Sequence, residues 1–303
     1  IIGEIQVSTS VTNSTVSLTD MHGTRAGGIA GCTTQKVDFN NCRVQGDNQK
    51  KIEIEGKKTS GGILGSISGS NIVGIYNCIV NNATITSVDD WGSGGLTGDT
   101  DWNVKAQLYF FDCDVEQSEI VGIRVGGIAG NVRGNLNAAN LLLKGVVLTG
   151  RTNQGYSQTG LLIGLTGNRN LQPMCLAGIS IQNSVATDNK KRITQLYGTE
   201  NGKQRADVQA KSYFSFADYS GTASTVSDTN EGSQLLDNEK AIYPYVVTSP
   251  QSLLYEEKSG ATNIGRKWYF YGDGASWEEN ADSSFTVKAE QIIKDKQAGQ
   301  SLE

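Results

Sequence analysis

The sequence predicts an all-β fold, a right-handed parallel β-helix of about five coils of roughly 33 residues followed by an irregular β region, and three observations predict it. Glycine is abundant and proline scarce, 37 against 3 in 303 residues, which suits a chain full of tight turns. A five-residue glycine word recurs at a fixed interval. Short β-branched runs with period-two alternation follow each copy, the signature of half-buried strands.

The word is Gly-Gly-aliphatic-x-Gly. It stands at Gly27-Gly28-Ile29-Ala30-Gly31, Gly61-Gly62-Ile63-Leu64-Gly65, Gly94-Gly95-Leu96-Thr97-Gly98 and Gly126-Gly127-Ile128-Ala129-Gly130, with a degenerate copy at Gly160-Leu161-Leu162-Ile163-Gly164. Successive starts lie 34, 33, 32 and 34 residues apart. A second feature follows each word: Asn41-Cys42-Arg43-Val44, Asn77-Cys78-Ile79-Val80, Asp112-Cys113-Asp114-Val115, Asn140-Leu141-Leu142-Leu143 and Met174-Cys175-Leu176. A third has alternating aliphatics, as in Ile52-Glu53-Ile54, Ala83-Thr84-Ile85-Thr86, Glu119-Ile120-Val121, Val146-Val147-Leu148 and Ile179-Ser180-Ile181.

Ankyrin and tetratricopeptide repeats share this period, but they need Ala, Leu and a 3.6-residue apolar stripe that is missing here. A leucine-rich repeat is a nearer rival through its Asn/Cys position, yet its L-x-x-L-x-L spacing is absent. The expected arrangement stacks each coil on the next through parallel pairing at about 4.8 Å. The small glycines then let backbones approach, the aliphatic residue of the word enters the core, and the Asn or Asp before each Cys bonds its neighbours along the stack. Residues 5–18 read as the closing strands of a coil whose opening word is missing, so a continuation of the same solenoid upstream is expected.

From about Asp188 the repeat is lost. Residues 1–187 form the expected solenoid, and residues 188–303 an irregular β-rich region packed on its last coil. Strand-like runs there are Tyr213-Phe214-Ser215-Phe216, Tyr245-Val246-Val247, Trp268-Tyr269-Phe270-Tyr271 and Ser284-Phe285-Thr286-Val287, with a short helix expected at 289–294.

The glycine words followed by Asn-Cys-x-Val resemble the GLUG repeat of bacterial surface proteins, which is carried by large adhesins and by the non-catalytic regions of immunoglobulin A peptidases. The resemblance covers residues 1–187. It implies an extracellular, cell-surface-attached binding or spacer role, with a host or matrix glycan or protein as partner, and it transfers no catalytic residue.

Composition narrows the function further. Net charge is −5, and the 26 Lys and Arg are scattered, so nothing resembles the basic footprint of a nucleic-acid binder. No stretch approaches the roughly 20 apolar residues of a membrane helix, so membrane insertion is not expected. The cysteines number five, without a C-x-x-C pair, and Cys42, Cys78, Cys113 and Cys175 share an alternating apolar context. They read as stacked buried thiols rather than disulfides or metal ligands, with Cys32, beside a glycine turn, as the exception.

Catalysis lacks a visible base, since one His and no nucleophile elbow are present. The enzymatic alternative is a polysaccharide lyase or hydrolase built on the same scaffold. It would draw on the third-coil acids Asp89, Asp90, Asp99, Asp101, Asp112, Asp114 and Glu116, with calcium as the one cofactor they would suit.

In the same coil Trp91 and Trp102 flank a glycine word with Asp99 and Asp101 between them. Aromatic faces bordered by acids grip sugar rings, so Trp91, Asp99, Asp101 and Trp102 form the candidate ligand-binding site, weighed against both Trp packing under a loop. Tyr269, Tyr271, Asp273 and Trp277 make a second aromatic cluster that reads as a structural plug. Thr84-Ile85-Thr86 resembles the threonine ladders of ice-binding solenoids, but the neighbouring coils do not repeat it, so ice binding is not expected.

Overall fold

A computed structural model describes residues 1–69, 72–89, 91–101, 106–139, 141–151, 158–166, 174–182 and 184–188. Beyond these it describes Gly198 and the strands Lys191–Ile193, Ser212–Ser220, Ser233–Leu236, Val246–Val247, Trp277–Glu279 and Phe285–Val287. The described residues are all-β, and among them no helix is long and apolar enough to cross a membrane. Up to Asp188 every strand pairing is parallel, and each strand pairs with its counterpart one repeat away.

Three sheets result. A six-stranded sheet stacks the strands that leave the glycine words: Ile2–Ile5, Ala30–Thr33, Leu64–Ile67, Thr97–Thr100, Ala129–Val132 and Ile163–Thr166. A second sheet carries two rows per repeat, such as Ile72–Tyr76 with Ile79–Asn81 and Gln107–Phe111 with Asp114–Glu116. A ten-stranded third sheet holds the alternating strands Ile52–Gly61, Ala83–Ser87, Glu119–Gly122, Val147–Gly150 and Val185–Asp188.

The glycine words align residue for residue. Gly27 pairs with Gly61, Gly61 with Gly94, Gly94 with Gly126 and Gly126 with Gly160, so even the degenerate copy holds its place. At the N-terminus Ile2 stands opposite Ala30, which puts Ile2–Ile5 on the strand that leaves a word.

The second glycine of the word has a steric reason. A Cβ on Gly62 would lie 2.0 Å from the carbonyl oxygen of Gly95 and 2.6 Å from a methyl of Val80. Gly28 is held the same way by Gly62 and Val44, and Gly95 by Gly127 and Val115. Each coil therefore rests backbone on backbone against the next at this point, with a buried valine filling the space beside it. That valine belongs to the core, together with Ile54, Ile63, Ile85, Leu96, Phe110, Ile120 and Leu148. Burying each such side chain stabilises by about 1.5–3 kcal/mol.

The corner residue before Cys42, Cys78 and Cys113, and before Ser14 at the equivalent place in the first coil, takes the left-handed conformation: φ is 52° at Asn41, 49° at Asn77, 55° at Asp112 and 51° at Asn13. Asn and Asp tolerate this region better than other side-chain-bearing residues, which explains the residue type at the corner. The amides also join along the stack, Asn41 Nδ2 donating to Asn13 Oδ1 at 2.7 Å and Asn77 Nδ2 to Asn41 Oδ1 at 3.5 Å.

The fifth repeat departs from the sequence alignment. Asp114 pairs with Leu142 and Leu142 with Ser180, so the position after Cys42, Cys78 and Cys113 passes through Leu141 to Ile179, whereas Cys175 stands opposite Asn137. Here Met174–Gln182 runs as one strand through both rows of its sheet, without the Asn or Asp corner that divides them elsewhere. Ile179-Ser180-Ile181 accordingly belongs to the second sheet, and the fifth strand of the third sheet is Val185–Asp188.

Past the repeats, Ser212–Ser220 pairs in parallel with Met174–Gln182, and Phe285–Val287 pairs with Val246–Val247 and Trp277–Glu279. The expected strand at 268–271 and helix at 289–294 lie outside the described residues.

Replacing Gly62 by Ala is expected to destabilise the fold by about 1–3 kcal/mol through overpacking. Gly3→Ala, whose Cβ would meet nothing within 4 Å, is expected to leave stability unchanged. Thermal unfolding of the two variants checks this; equal melting temperatures would contradict the steric role of the word.

Candidate functional site

Trp91 is presented by an insertion. Between paired positions, the step from Gly56 to Ser60 is four residues and the step from Ser87 to Ser93 is six, so the third coil carries two extra residues. Serines pin the base of this loop. Ser87 Oγ donates to the Trp91 carbonyl at 3.2 Å, and Ser93 Oγ accepts from Ser87 N at 2.9 Å and donates to the Val121 carbonyl at 2.9 Å. The indole is half-buried, with Lys58 Nζ 5.4 Å from its ring centroid, within cation–π range.

Asp99 and Asp101 sit at the end of the strand that leaves the third word, in different surroundings. Asp99 is fully buried. Asn131 Nδ2, one repeat on, donates to its Oδ1 at 2.8 Å, and an Arg124 guanidinium nitrogen lies 3.8 Å from Oδ2. Arg124 is oriented in turn by a 2.7 Å bond from its Nε to Gln158. Burial pushes the Asp99 carboxyl up to about 7; Arg133, Arg124 and the Asn131 bond oppose the rise, and Asp101 adds to it.

Asp101 is half-buried and accepts from Arg25 at 3.2 Å, across two repeats, and from Ser68 Oγ. Arg25 also donates to Cys32 Sγ at 3.4 Å, and that sulfur lies 3.5 Å from Ser68 Oγ. Cys32 is thus a buried free thiol in a polar chain of contacts.

Asp99 and Asp101 therefore share a seam between repeats, Trp91 stands on the loop entering the same glycine word, and Trp102 lies outside the described residues. Asp99 is sealed from solvent and acts through its neighbours. Arg25, Lys58, Arg124 and Asn131 were missed in the sequence. Aligning whole repeats would have found the arginines, since Arg25 and Arg124 each stand two residues before a glycine word.

The other acids of the third coil do not join this seam. Asp112 occupies the left-handed corner and Asp114 lies in the second sheet, opposite Ile79 and Leu142. Asp90 lies outside the described residues, as do Tyr269, Tyr271 and Asp273, while Trp277 opens a short strand. Among the described residues no group of three or more His, Cys, Asp or Glu is placed to hold a metal ion.

Cys42, Cys78 and Cys113 form the expected column of buried free thiols. Cys42 N donates to Cys78 Sγ at 3.4 Å, while the Cys78 and Cys113 thiols donate to the Tyr76 and Phe111 carbonyls at 3.1 Å each. The bond with Cys78, and then burial, raise the Cys42 thiol; burial, and then Cys113, raise Cys78. The thiolate forms of Cys42 and Cys78 are disfavoured accordingly.

Two predictions follow from these environments. A disulfide reagent is expected to spare Cys42, Cys78 and Cys113 in the native protein and to titrate them on unfolding; rapid native reaction at these positions would contradict the buried column. Because the folded Asp99 pKa is raised above its ordinary 3.8, its contribution favours the fold fully below about pH 4 and is lost as pH rises through about 7. Asp99→Asn is therefore expected to gain stability relative to the parent between about pH 5 and about pH 8, and parallel melting curves across that range would contradict it.

No protein-family model matches the chain, and neither does any curated protein or solved structure, so the repeat register and this seam are what a functional reading rests on.

Proposed function

We propose that the chain winds as a right-handed parallel β-helix and serves as a non-catalytic, extracellular binding or spacer module of a bacterial cell-surface adhesin, meeting host or matrix glycan or protein. The observation that carries this reading is where the chemically capable side chains go. Asp99 bonds Asn131, Asp101 bonds Arg25 and Ser68, and the thiols bond backbone carbonyls, each tie crossing from one repeat to another or closing a corner. Such ties stiffen a stack. The resemblance of the glycine and Asn-Cys words to GLUG repeats supports the surface location, and the pairing of Ser212–Ser220 with Met174–Gln182 supports a C-terminal region that packs on the last coil.

The ligand contact of this reading is the Trp91 loop with Lys58, Asp101 and Trp102, with Asp99 bracing it from inside. The alternative, a polysaccharide-cleaving enzyme, draws on one observation, the near-neutral Asp99 beside Arg124. Complete burial of Asp99 favours the bracing role, because a general acid must reach the scissile bond.

Purified protein screened against glycans and matrix proteins, with and without calcium and with product release monitored, tests the proposal. Saturable binding without cleavage is expected, weakened about tenfold or more by Trp91→Ala at unchanged melting temperature. Release of cleaved polysaccharide would overturn the non-catalytic reading, and full binding by the variant would remove the Trp91 loop as the contact.

A further inference from the structure

The bend that leads from the alternating strands into the glycine words differs in length from coil to coil. Between paired positions the step is three residues from Gly23 to Ala26, four from Gly56 to Ser60, six from Ser87 to Ser93 and three from Gly122 to Val125. Strand pairing continues into this bend. Val88 N donates to the Gly56 carbonyl at 3.0 Å, Asp89 N to that of Lys57 at 2.8 Å and Arg151 N to that of Gly122 at 2.6 Å.

Lys57, Val88, Ile123 and Arg151 each follow the last paired position of their coil, so they line up as one further row. Three steps of about 4.8 Å give it a length of about 14 Å. An exposed cation stands at each end, Lys57 and Arg151, with exposed Val88 and half-buried Ile123 between them. The strand bulges at the first end, where Lys57 and Lys58 together oppose Thr24, and both lysines are exposed. From this bulge Lys58 reaches over the Trp91 ring.

The acids close to the row are paired or withdrawn. Asp101 accepts from Arg25, Glu55 lies 3.8 Å from His22 Nδ1, Asp188, opposite Gly150, is buried, and Asp89 is half-buried. The charges this bend offers a ligand are therefore Lys57, Lys58 and Arg151. They border an aromatic ring and an apolar strip.

We propose that the Trp91 loop takes an acidic polysaccharide with a carboxylate on the sugar ring, laid along the stack between the two lysines and Arg151. The inference rests on the Trp91 contact proposed above and names the class of its ligand. A sugar that stacks on the indole displaces the Lys58 ammonium from the ring. A neutral sugar then forfeits the cation–π attraction, whereas an acidic one replaces it with an ion pair. A carboxyl joined directly to the sugar ring stays within reach of an ammonium 5.4 Å from the indole centroid, and a sulfate on its ester arm stands further off. Charge at both ends of the row favours a chain of sugars over a single one.

The purified chain titrated at low ionic strength with polygalacturonate, alginate and hyaluronan, each also as its methyl ester, tests the proposal. Dextran sulfate and polyglutamate serve as the other polyanions. At least one free acid is expected to bind about tenfold or more tightly than its ester. Lys58→Gln and Arg151→Gln are each expected to weaken that binding about two- to fivefold, and Lys144→Gln, the same loss of charge at an exposed position of the second sheet, to leave it unchanged. Acid and ester bound equally, with Trp91→Ala weakening both, would overturn the ligand class and keep the Trp91 contact; binding indifferent to Trp91→Ala would remove the contact itself. Failure to bind any of the acids would also overturn the proposal. Tighter binding of dextran sulfate or polyglutamate would reassign the row to sulfated chains or to acidic peptides.

Discussion

Backbone contact between one glycine word and the next is the constraint on which the rest of this structure depends. In the first four words the second glycine faces the carbonyl of the following word at a distance no side chain tolerates, and that contact fixes the register of the other rows. Once Gly27, Gly61, Gly94, Gly126 and Gly160 are stacked, the valines, corner residues, thiols and alternating strands fall into columns. A repeat of slightly varying length is tolerated because surplus residues are pushed out between rows, as in the loop that carries Trp91.

Columns make neighbours of residues far apart in the chain, and the chemistry of the molecule lies along them. Asp101 meets Arg25 from two repeats away, Asp99 meets Asn131 from one, and asparagine amides join corner to corner. Parallel stacking favours such ladders because each residue presents the same direction as its counterpart. It also carries Asp99 out of solvent, and that burial pushes the carboxyl up to about 7 despite Arg133 and Arg124 nearby. The polar seam ties neighbouring repeats together beside the loop that carries Trp91.

Much of this was legible in the sequence. The interval of the word, the residue types at the corner and the alternation of the third segment gave parallel, all-β stacking. Residue type alone was a poorer guide in the fifth repeat, where Cys175 imitates the corner cysteine while Met174–Gln182 runs straight through two rows. The partners of Asp99 and Asp101 were hidden for a different reason: they contact across repeats, and proximity along the chain carries no trace of them. Asp99 looked like a ligand contact because an acid beside tryptophans suggests a sugar site, whereas its place on an inward-held strand seals it.

Distances between spin labels test the one-repeat register most directly. Labels placed pairwise through Glu53→Cys with Glu119→Cys, Val147→Cys or Val185→Cys sample two, three and four steps along one outward column of the third sheet, while the core thiols stay inert. Register stacking predicts separations that grow by about 4.8 Å per repeat. Growth of about 8–10 Å per repeat, the spacing of packed helices, or no regular growth at all, would contradict it.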